Sequence, residues 1–301
     1  MSRDSSVDWS SLIIAVVGGD EREEEIARLA AGTGADVRAY GFPLPEVRLP
    51  GLAVCDDAAS ALRGANYALF PVPGIGGDGS LYAPLGPAIV PDVALLGELA
   101  EGAHIILGRA DDRLRAAAGA CGASLHEYEA DAELMLLRAP AIVEGALQKA
   151  IENTAVTIHS AVVAVVGQGN IGALLTRALT LLGANVHAAA RNPVQRAAAF
   201  ATGATPLPLE DLTALAPRLD MLFSTVPARI VGREILEKLP RGCLVMDLAA
   251  PPGGVDLAAA EGLGLTVVWA RGLGRRAPIT VGRSQWNGIK RLVEEIERGR
   301  G

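Results

Sequence analysis

Short apolar runs alternate with stretches whose apolar residues recur every three or four positions. That alternation predicts strands followed by helices. In the first half the runs at 12–17, 36–40, 67–72, 103–107 and 123–128 are expected strands. Segments 20–31, 91–100 (with Pro91 in the first turn) and 111–118 are expected helices. The second half repeats the rhythm, with strands at 162–166, 185–189, 221–225, 244–247 and 265–269 and helices at 171–182, 193–202, 232–238 and 257–261. A longer helical pattern at 141–158 reads as a bridge between the halves. The tail 280–298 is amphipathic, with Trp286, Ile289, Leu292, Val293 and Ile296 at helical spacing, and is expected to pack back on the first domain. The predicted fold is therefore α/β: two Rossmann-like domains with parallel sheets and a cleft between them. Residues 1–140 with helix 280–299 would form a flavodoxin- or Rossmann-like substrate domain, and 141–279 the nucleotide-binding domain.

Composition narrows the classes. The chain has 301 residues, 50% hydrophobic and 20% charged, enough for two cores and too apolar for a disordered chain. A net charge of −7 without a Lys/Arg block argues against nucleic acid. No apolar run reaches the ~18 residues of a membrane span, and residues 1–10 lack an apolar signal core. Cys55, Cys121 and Cys243 are scattered, with no CxxC pair or zinc spacing. They are expected to be buried reduced thiols of a cytoplasmic protein.

The chemistry concentrates at Gly167-Gln168-Gly169-Asn170-Ile171-Gly172, a G-x-G-x-x-G run that follows an apolar strand and opens a helix. The first glycine permits the tight turn, the second lets backbone approach a pyrophosphate, and the third lets the helix pack close to the strand. The helix N-terminus supplies free N–H groups and partial positive charge. The next strand closes on Ala190-Arg191-Asn192 and lacks the acid that usually holds an NAD ribose. Arg191 stands where a 2′-phosphate would sit, so NADP is the expected cofactor, with NAD as the alternative. Thr225, Val226 and Pro227, at the end of another strand, should line the same site. A rival turn, Gly18-Gly19, leads into Asp20, Glu21, Glu23, Glu24 and Glu25, which suit a helix dipole but would repel phosphate.

The run Glu144-Gly-Ala-Leu-Gln-Lys-Ala-Ile-Glu-Asn153-Thr154-Ala-Val-Thr157-Ile-His159 resembles the interdomain helix of the dipicolinate synthase A-subunit family. Asp247-Leu-Ala-Ala-Pro-Pro-Gly-Gly254-Val-Asp256 is similar to that family's D-L-A-S-x-P-G-G-x-D stretch, and Gly18-Gly-Asp-Glu-Arg22 to its opening. The resemblance implies a protein that works with a flavoprotein-like second subunit to make dipicolinate (pyridine-2,6-dicarboxylate) from a dihydro precursor in spore formers. It departs in the loop after the last strand, where Ile279 replaces the family's Lys.

Such a reaction moves a hydride to a nicotinamide and a proton to a base, and it holds a small dicarboxylate. Arg271, Arg275 and Arg276 are candidate carboxylate forks, and Asn153 and Thr157 candidate substrate contacts. His159 is the first choice as base, against a structural role. Asp247 is expected either to orient substrate or to cap a turn. No Ser–His–Asp or metal-ligand constellation emerges. A homo-oligomer is expected. Two other readings stay open: a dehydrogenase of this fold for another small carboxylate, and a non-catalytic nucleotide-binding subunit that regulates a partner.

Overall fold

In the computed structural model, which describes residues 7–43, 49–129 and 131–300, the chain divides into two compact units. One comprises Met1–Arg138 with Ala277–Gly301, and the other Ala139–Arg276. In chain order the first unit holds β1 (Ile13–Val17), α1 (Glu21–Ala31), β2 (Asp36–Tyr40), β3 (Leu52–Val54), α2 (Ala58–Leu62) and β4 (Tyr67–Leu69). It continues with α3 (Val93–Leu96), β5 (His104–Leu107), α4 (Asp112–Ala120) and β6 (Ser124–Glu127). Helix α5 (Ala132–Glu152) carries the chain across the division.

The second unit holds β7 (Val162–Val166), α6 (Asn170–Leu181), β8 (Asn185–Ala189), α7 (Pro193–Ala201), β9 (Thr205–Leu207), α8 (Leu212–Leu215) and β10 (Met221–Ser224). It ends with α9 (Arg233–Leu236), β11 (Leu244–Asp247), α10 (Leu257–Gly262) and β12 (Thr266–Trp269). The last helix, α11 (Pro278–Arg300), belongs to the first unit and packs along α1.

Each sheet has six parallel strands, in the orders β3-β2-β1-β4-β5-β6 and β9-β8-β7-β10-β11-β12. Counted within each unit, both run 3-2-1-4-5-6, the doubly wound order in which ligands bind where the winding reverses, beyond the carboxyl ends of the strands. Successive residues of one strand feed two cores. Val163 and Val165 pack with Leu175, Leu179 and Phe223, while Ala164 and Val166 pack with Leu212, Leu222 and Val245. Burial on both faces is why these strands read as unbroken apolar runs.

Two strands escape the sequence pattern. β3 and β9 are three-residue edge strands, and β9 contains Pro206, which an edge tolerates. With β3 in place the first unit has the Rossmann order rather than the flavodoxin one. The helix expected at 91–100 is a single turn, α3, with Asp92 as its N-cap, so Pro91 lies outside it. The helix expected at 141–158 begins at Ala132, passes through Pro140 and ends at Glu152. Proline's fixed φ is helical, so the helix loses one hydrogen bond at Pro140 without having to stop. Of the three thiols only Cys243 is buried; Cys55 and Cys121 are partly exposed, and all three are free.

Candidate functional site

The Gly167–Gly172 turn joins β7 to α6 beside the point where the second sheet reverses its winding. Gly167 has φ +95°, and a Cβ there would stand 2.5 Å from Val226 Cγ2. A Cβ on Gly172 would lie 2.1 Å from the Gly167 carbonyl oxygen, so only glycine lets the helix sit this close. Gly169 differs: nothing lies within 4 Å of an added Cβ. Its backbone faces open space, as a backbone that must meet a ligand requires. Gly169 is also the N-cap of α6 and offers no side-chain acceptor. Helix geometry gives the first-turn N–H groups no partner within the helix, so they remain available to an anion. The Gln168 side chain turns away, its Nε2 donating to Thr176 Oγ1 at 2.8 Å, so Gln168 offers backbone only.

The first unit makes the opposite choice at its own β1–α1 turn. Asp20 accepts from the Arg22 N–H at 3.1 Å, and Glu23 reaches back to the Asp20 N–H at 2.8 Å, a complete capping box. Its own carboxylates occupy the helix end that would otherwise receive a phosphate.

Around the open turn lies a cavity of about 320 Å³, within the range of small-molecule sites. Gly167, Gln168, Gly169, Arg191, Asn192, Thr225, Val226 and Pro227 line it together. Asn170 opens α6 and is exposed, and Ile171 follows, packed against the core. Thr225 Oγ1 donates to the Val166 carbonyl at 3.1 Å, tying the end of β10 to the end of β7. Asn192 caps α7, accepting from the Val194 N–H at 2.8 Å, so its amide group holds the loop. Arg191 is exposed. The end of β8 presents Ala189 and Ala190 where an acid would hold a ribose diol.

The sequence pattern missed Gln195, Leu209 and Ile230, which also line the cavity. It also missed Arg196, whose Nη1 donates to the carbonyls of Ala190 at 2.7 Å and Arg191 at 2.8 Å and so fixes the corner that carries Arg191. The only signal was a second arginine five residues on.

Other expected site residues lie elsewhere in the second unit. His159 precedes β7, while Gly167 follows it. The five residues between the ends of β7 span ~16 Å. The His159 ring packs on Gly183, where an added Cβ would sit 2.2 Å from Nδ1. Thr157 Oγ1 donates to the His159 carbonyl at 3.0 Å, and Asn153 Nδ2 to the Lys149 carbonyl at 2.8 Å. Thr157 and His159 therefore serve the amino-terminal edge of the sheet, Asn153 closes the end of α5, none of the three lines the cavity, and His159 is corrected from base to structural residue.

Asp247 does end a strand on the cavity's edge of the sheet, but it is fully buried. One carboxylate oxygen accepts from the Ala249 N–H at 3.0 Å, the other from Gly254 and Val255 at 2.7 and 3.1 Å. Its role is to hold the loop after β11. Of the three arginines after β12, Arg271 lies over the Trp269 ring at 5.3 Å, Arg276 pairs with Glu144, and Arg275 is part-buried. Among the described residues no group of three or more His, Cys, Asp or Glu is placed to hold a metal ion. No helix among them is long and apolar enough to cross a membrane.

Comparison with known proteins agrees with this architecture. Residues 13–129 match the family described as the N-terminal domain of the dipicolinate synthase A-subunit. Over 294 residues the chain is 29% identical to the dipicolinate synthase A-subunit of Bacillus subtilis, covering 97% of this chain and 99% of that protein. The crystal structure of the dipicolinate synthase A-subunit from Bacillus halodurans superposes with a TM-score of 0.85 at 26% identity, covering 93% of this chain and 96% of that one. A transhydrogenase from Sinorhizobium meliloti shares the fold, with a TM-score of 0.69 at 18% identity over 90% of this chain and 88% of that one. Residues 13–129 thus resemble that family's N-terminal domain, and along nearly its whole length the chain is similar to the dipicolinate synthase A-subunit of Bacillus subtilis.

Proposed function

We propose that the chain is the NADP-dependent oxidoreductase subunit of a dipicolinate synthase, oxidising a dihydrodipicolinate-type precursor to dipicolinate during sporulation, together with a flavoprotein-like second subunit. One observation carries the nucleotide part: of two helices that follow the first strand of a Rossmann sheet, α1 is capped by its own acids and α6 is left open beside a cavity that holds Arg191 and no acid.

A nicotinamide dinucleotide, when bound, supplies the acceptor for a hydride. The chain's own groups do the rest. The amides at Gly169–Gly172 would receive the pyrophosphate, Arg191 the 2′-phosphate, and the Thr225–Pro227 backbone would border the nicotinamide half. Aromatisation favours the oxidation, so positioning and charge neutralisation dominate over acid–base help. Titration of the purified chain should show saturable binding of NADP+ at least ~10-fold tighter than NAD+, the worth of one charge-assisted phosphate contact. Arg191→Ser should remove that preference. With the dihydro precursor and the second subunit both present, the absorbance of reduced nicotinamide should grow. No saturable binding of either dinucleotide overturns the reading.

A second reading, oxidation of a different small carboxylate, is favoured by the stretch after β12. There Ile279 is 55% exposed where the family carries Lys, and Arg276 is engaged by Glu144. A panel of imino- and hydroxy-diacids assayed with NADP+ separates the two.

A further inference from the structure

The carboxyl edge of the first unit's sheet holds a second, separate set of polar groups. Arg22 and Glu23 stand in the first turn of α1, just past β1, and Tyr128 follows β6. The two charged groups are satisfied. Arg22 forms a two-pronged pair with Asp20 at 2.8 and 2.9 Å, and Glu23 accepts from the N–H groups of Asp20 and Val72. Three neighbouring residues are not. The hydroxyl of Tyr128, the Nε of Arg138, and both amide atoms of Gln285 are buried without a hydrogen-bond partner. Tyr128 is 8% exposed and Gln285 1%.

These three come from different elements but converge. Helices α5 and α11 run antiparallel: Arg291 pairs with Asp131 and Glu133, and a Cβ on Gly288 would meet Leu134. One turn further along both helices come Arg138 and Gln285. One turn from Gln285, on the same side of α11, Gly282 lies against the Arg22 carbonyl and Glu25, so Gln285 stands between α1 and α5. The Tyr128 hydroxyl feels the charges of Glu23, Arg22 and Arg138, which places it in the same cluster. Burial and the neighbouring Arg22 charge both act to lower the Arg138 pKa, and its Nη2 reaches only the Met135 thioether, a weak acceptor.

Buried polar groups in folded proteins are almost always paired. Three unpaired ones from three elements, at the sheet edge where open α/β folds take ligands, mark a site with a missing partner. The available chemistry is a guanidinium, a phenol O–H and a carboxamide, all able to donate toward one acceptor. Arg138 is only half-buried, which leaves a way in. We propose that Arg138, Tyr128 and Gln285 form a carboxylate-binding site in the first unit, taking one carboxylate of a small organic diacid. Under the function proposed above, on which the choice of diacid rests, this is the substrate anchor. It replaces the arginines after β12, which are engaged by other groups.

The test uses the full chain and pyridine-2,6-dicarboxylate as probe, by calorimetry and thermal shift, with and without NADP+. The wild-type chain should bind the probe, and pyridine-2-carboxylate at least ~10-fold more weakly. Arg138→Gln should weaken probe binding ~100-fold, and Tyr128→Phe and Gln285→Leu ~10-fold each, with the NADP+ affinity unchanged. A structural role is separated by the melting temperature. Removing an unpaired buried hydroxyl or amide leaves the ligand-free protein as stable or more so, whereas removing a structural partner lowers its Tm. Tyr128→Phe with an unchanged or raised Tm and a lost ligand-induced shift supports the site. A lowered Tm with probe affinity unchanged overturns it, as does wild-type protein that binds NADP+ but not the probe. Failure of NADP+ binding alone, with the probe bound through these residues, would instead overturn the nucleotide assignment and leave this site standing.

Discussion

At the scale of single residues, two glycines of one motif separate folding from binding. An alanine at Gly172 would press its Cβ to 2.1 Å from the Gly167 carbonyl, and backbone cannot move aside cheaply. Gly172→Ala should lose ~2–4 kcal/mol of stability and nucleotide binding with it. An alanine at Gly169 meets nothing within 4 Å, and its conformation is extended. Gly169→Ala should stay within about 1 kcal/mol of wild type while NADP+ binding weakens at least ~10-fold, because the methyl fills the space a pyrophosphate would use. Chemical denaturation and dinucleotide titration on the two variants check both halves. Equal loss of stability in both would refute the distinction.

A histidine pair in the first unit gives a pH dependence of known sign. His104 Nδ1 and His126 Nε2 are 2.9 Å apart, the Arg300 guanidinium donates to His104 Nε2, and the Tyr67 ring stacks on His104 at 5.4 Å. Because Nε2 accepts, the proton of neutral His104 lies on Nδ1 and is donated to His126. Burial, and then the Arg300 charge, push His104 down to about 4, and burial lowers His126 as well; Glu297, bonded to both Tyr67 and Arg300, acts the other way on His104. Between pH 6.5 and 4 the unfolded chain therefore takes up protons that the native state refuses, so stability is complete above 6.5 and falls as pH drops through that window. Both rings are part-exposed, so the loss should be about 1–2 kcal/mol, well short of the unscreened value. His104→Gln should flatten the Tm-against-pH curve over this range; an unchanged slope would show that the pair does not titrate as described.

At the scale of elements, most of the fold was legible. β2, β7, β8 and β11 fall on the residues that the apolar pattern marked: β7 is apolar throughout, and in β2 and β8 the polar residues stand at exposed or half-buried positions between buried apolar ones. The open α6 and the capped α1 were also readable, the one from its glycines and the other from its acids. The missed elements are those whose determinants lie elsewhere in the chain. β3 and β9 owe their pairing to β2 and β8 rather than to three residues of their own pattern. The start of α5 lies eight residues upstream of Pro140, a residue that helix interiors rarely hold. Site residues were harder for the same reason. A histidine and an aspartate are identifiable as chemistry, but only the register of β7 and β11 shows that His159 lies at the wrong edge and that Asp247 is fully occupied. That occupation is itself testable. Asp247→Asn leaves one acceptor oxygen where two serve the N–H groups of Ala249, Gly254 and Val255, and it directs an NH2 at one of them. The loss should be ~1–3 kcal/mol, read as a lowered Tm, with the loop after β11 losing amide protection first.

At the scale of the whole molecule, the same winding occurs twice in one chain with opposite fates at the decisive helix end. The sheets alone would allow two nucleotides. The polar groups at the two β–α turns allow one, since Asp20 already accepts from a first-turn amide of α1 and Glu23 from the N-cap amide, while α6 has no such acceptor. The Glu23 carboxyl, fully buried and pushed up to about 7 chiefly by that burial, accepts from the Asp20 N–H on one oxygen and from the Val72 N–H on the other, so both are already engaged. Calorimetry should therefore give one dinucleotide per chain. Hydrogen exchange should show where it goes: at saturating NADP+, near 100 times Kd, the bound unit gains ~2.7 kcal/mol against opening. Protection should rise over Gly167–Gly172, Ala189–Asn192 and Thr225–Ile230, around the cavity beside the open turn. Amides of Gly18–Glu23 should exchange as in the free protein. Equal protection at both turns, or a stoichiometry of two, would mean that the acids of α1 do not exclude phosphate and that the asymmetry between the turns is not what decides where the nucleotide binds.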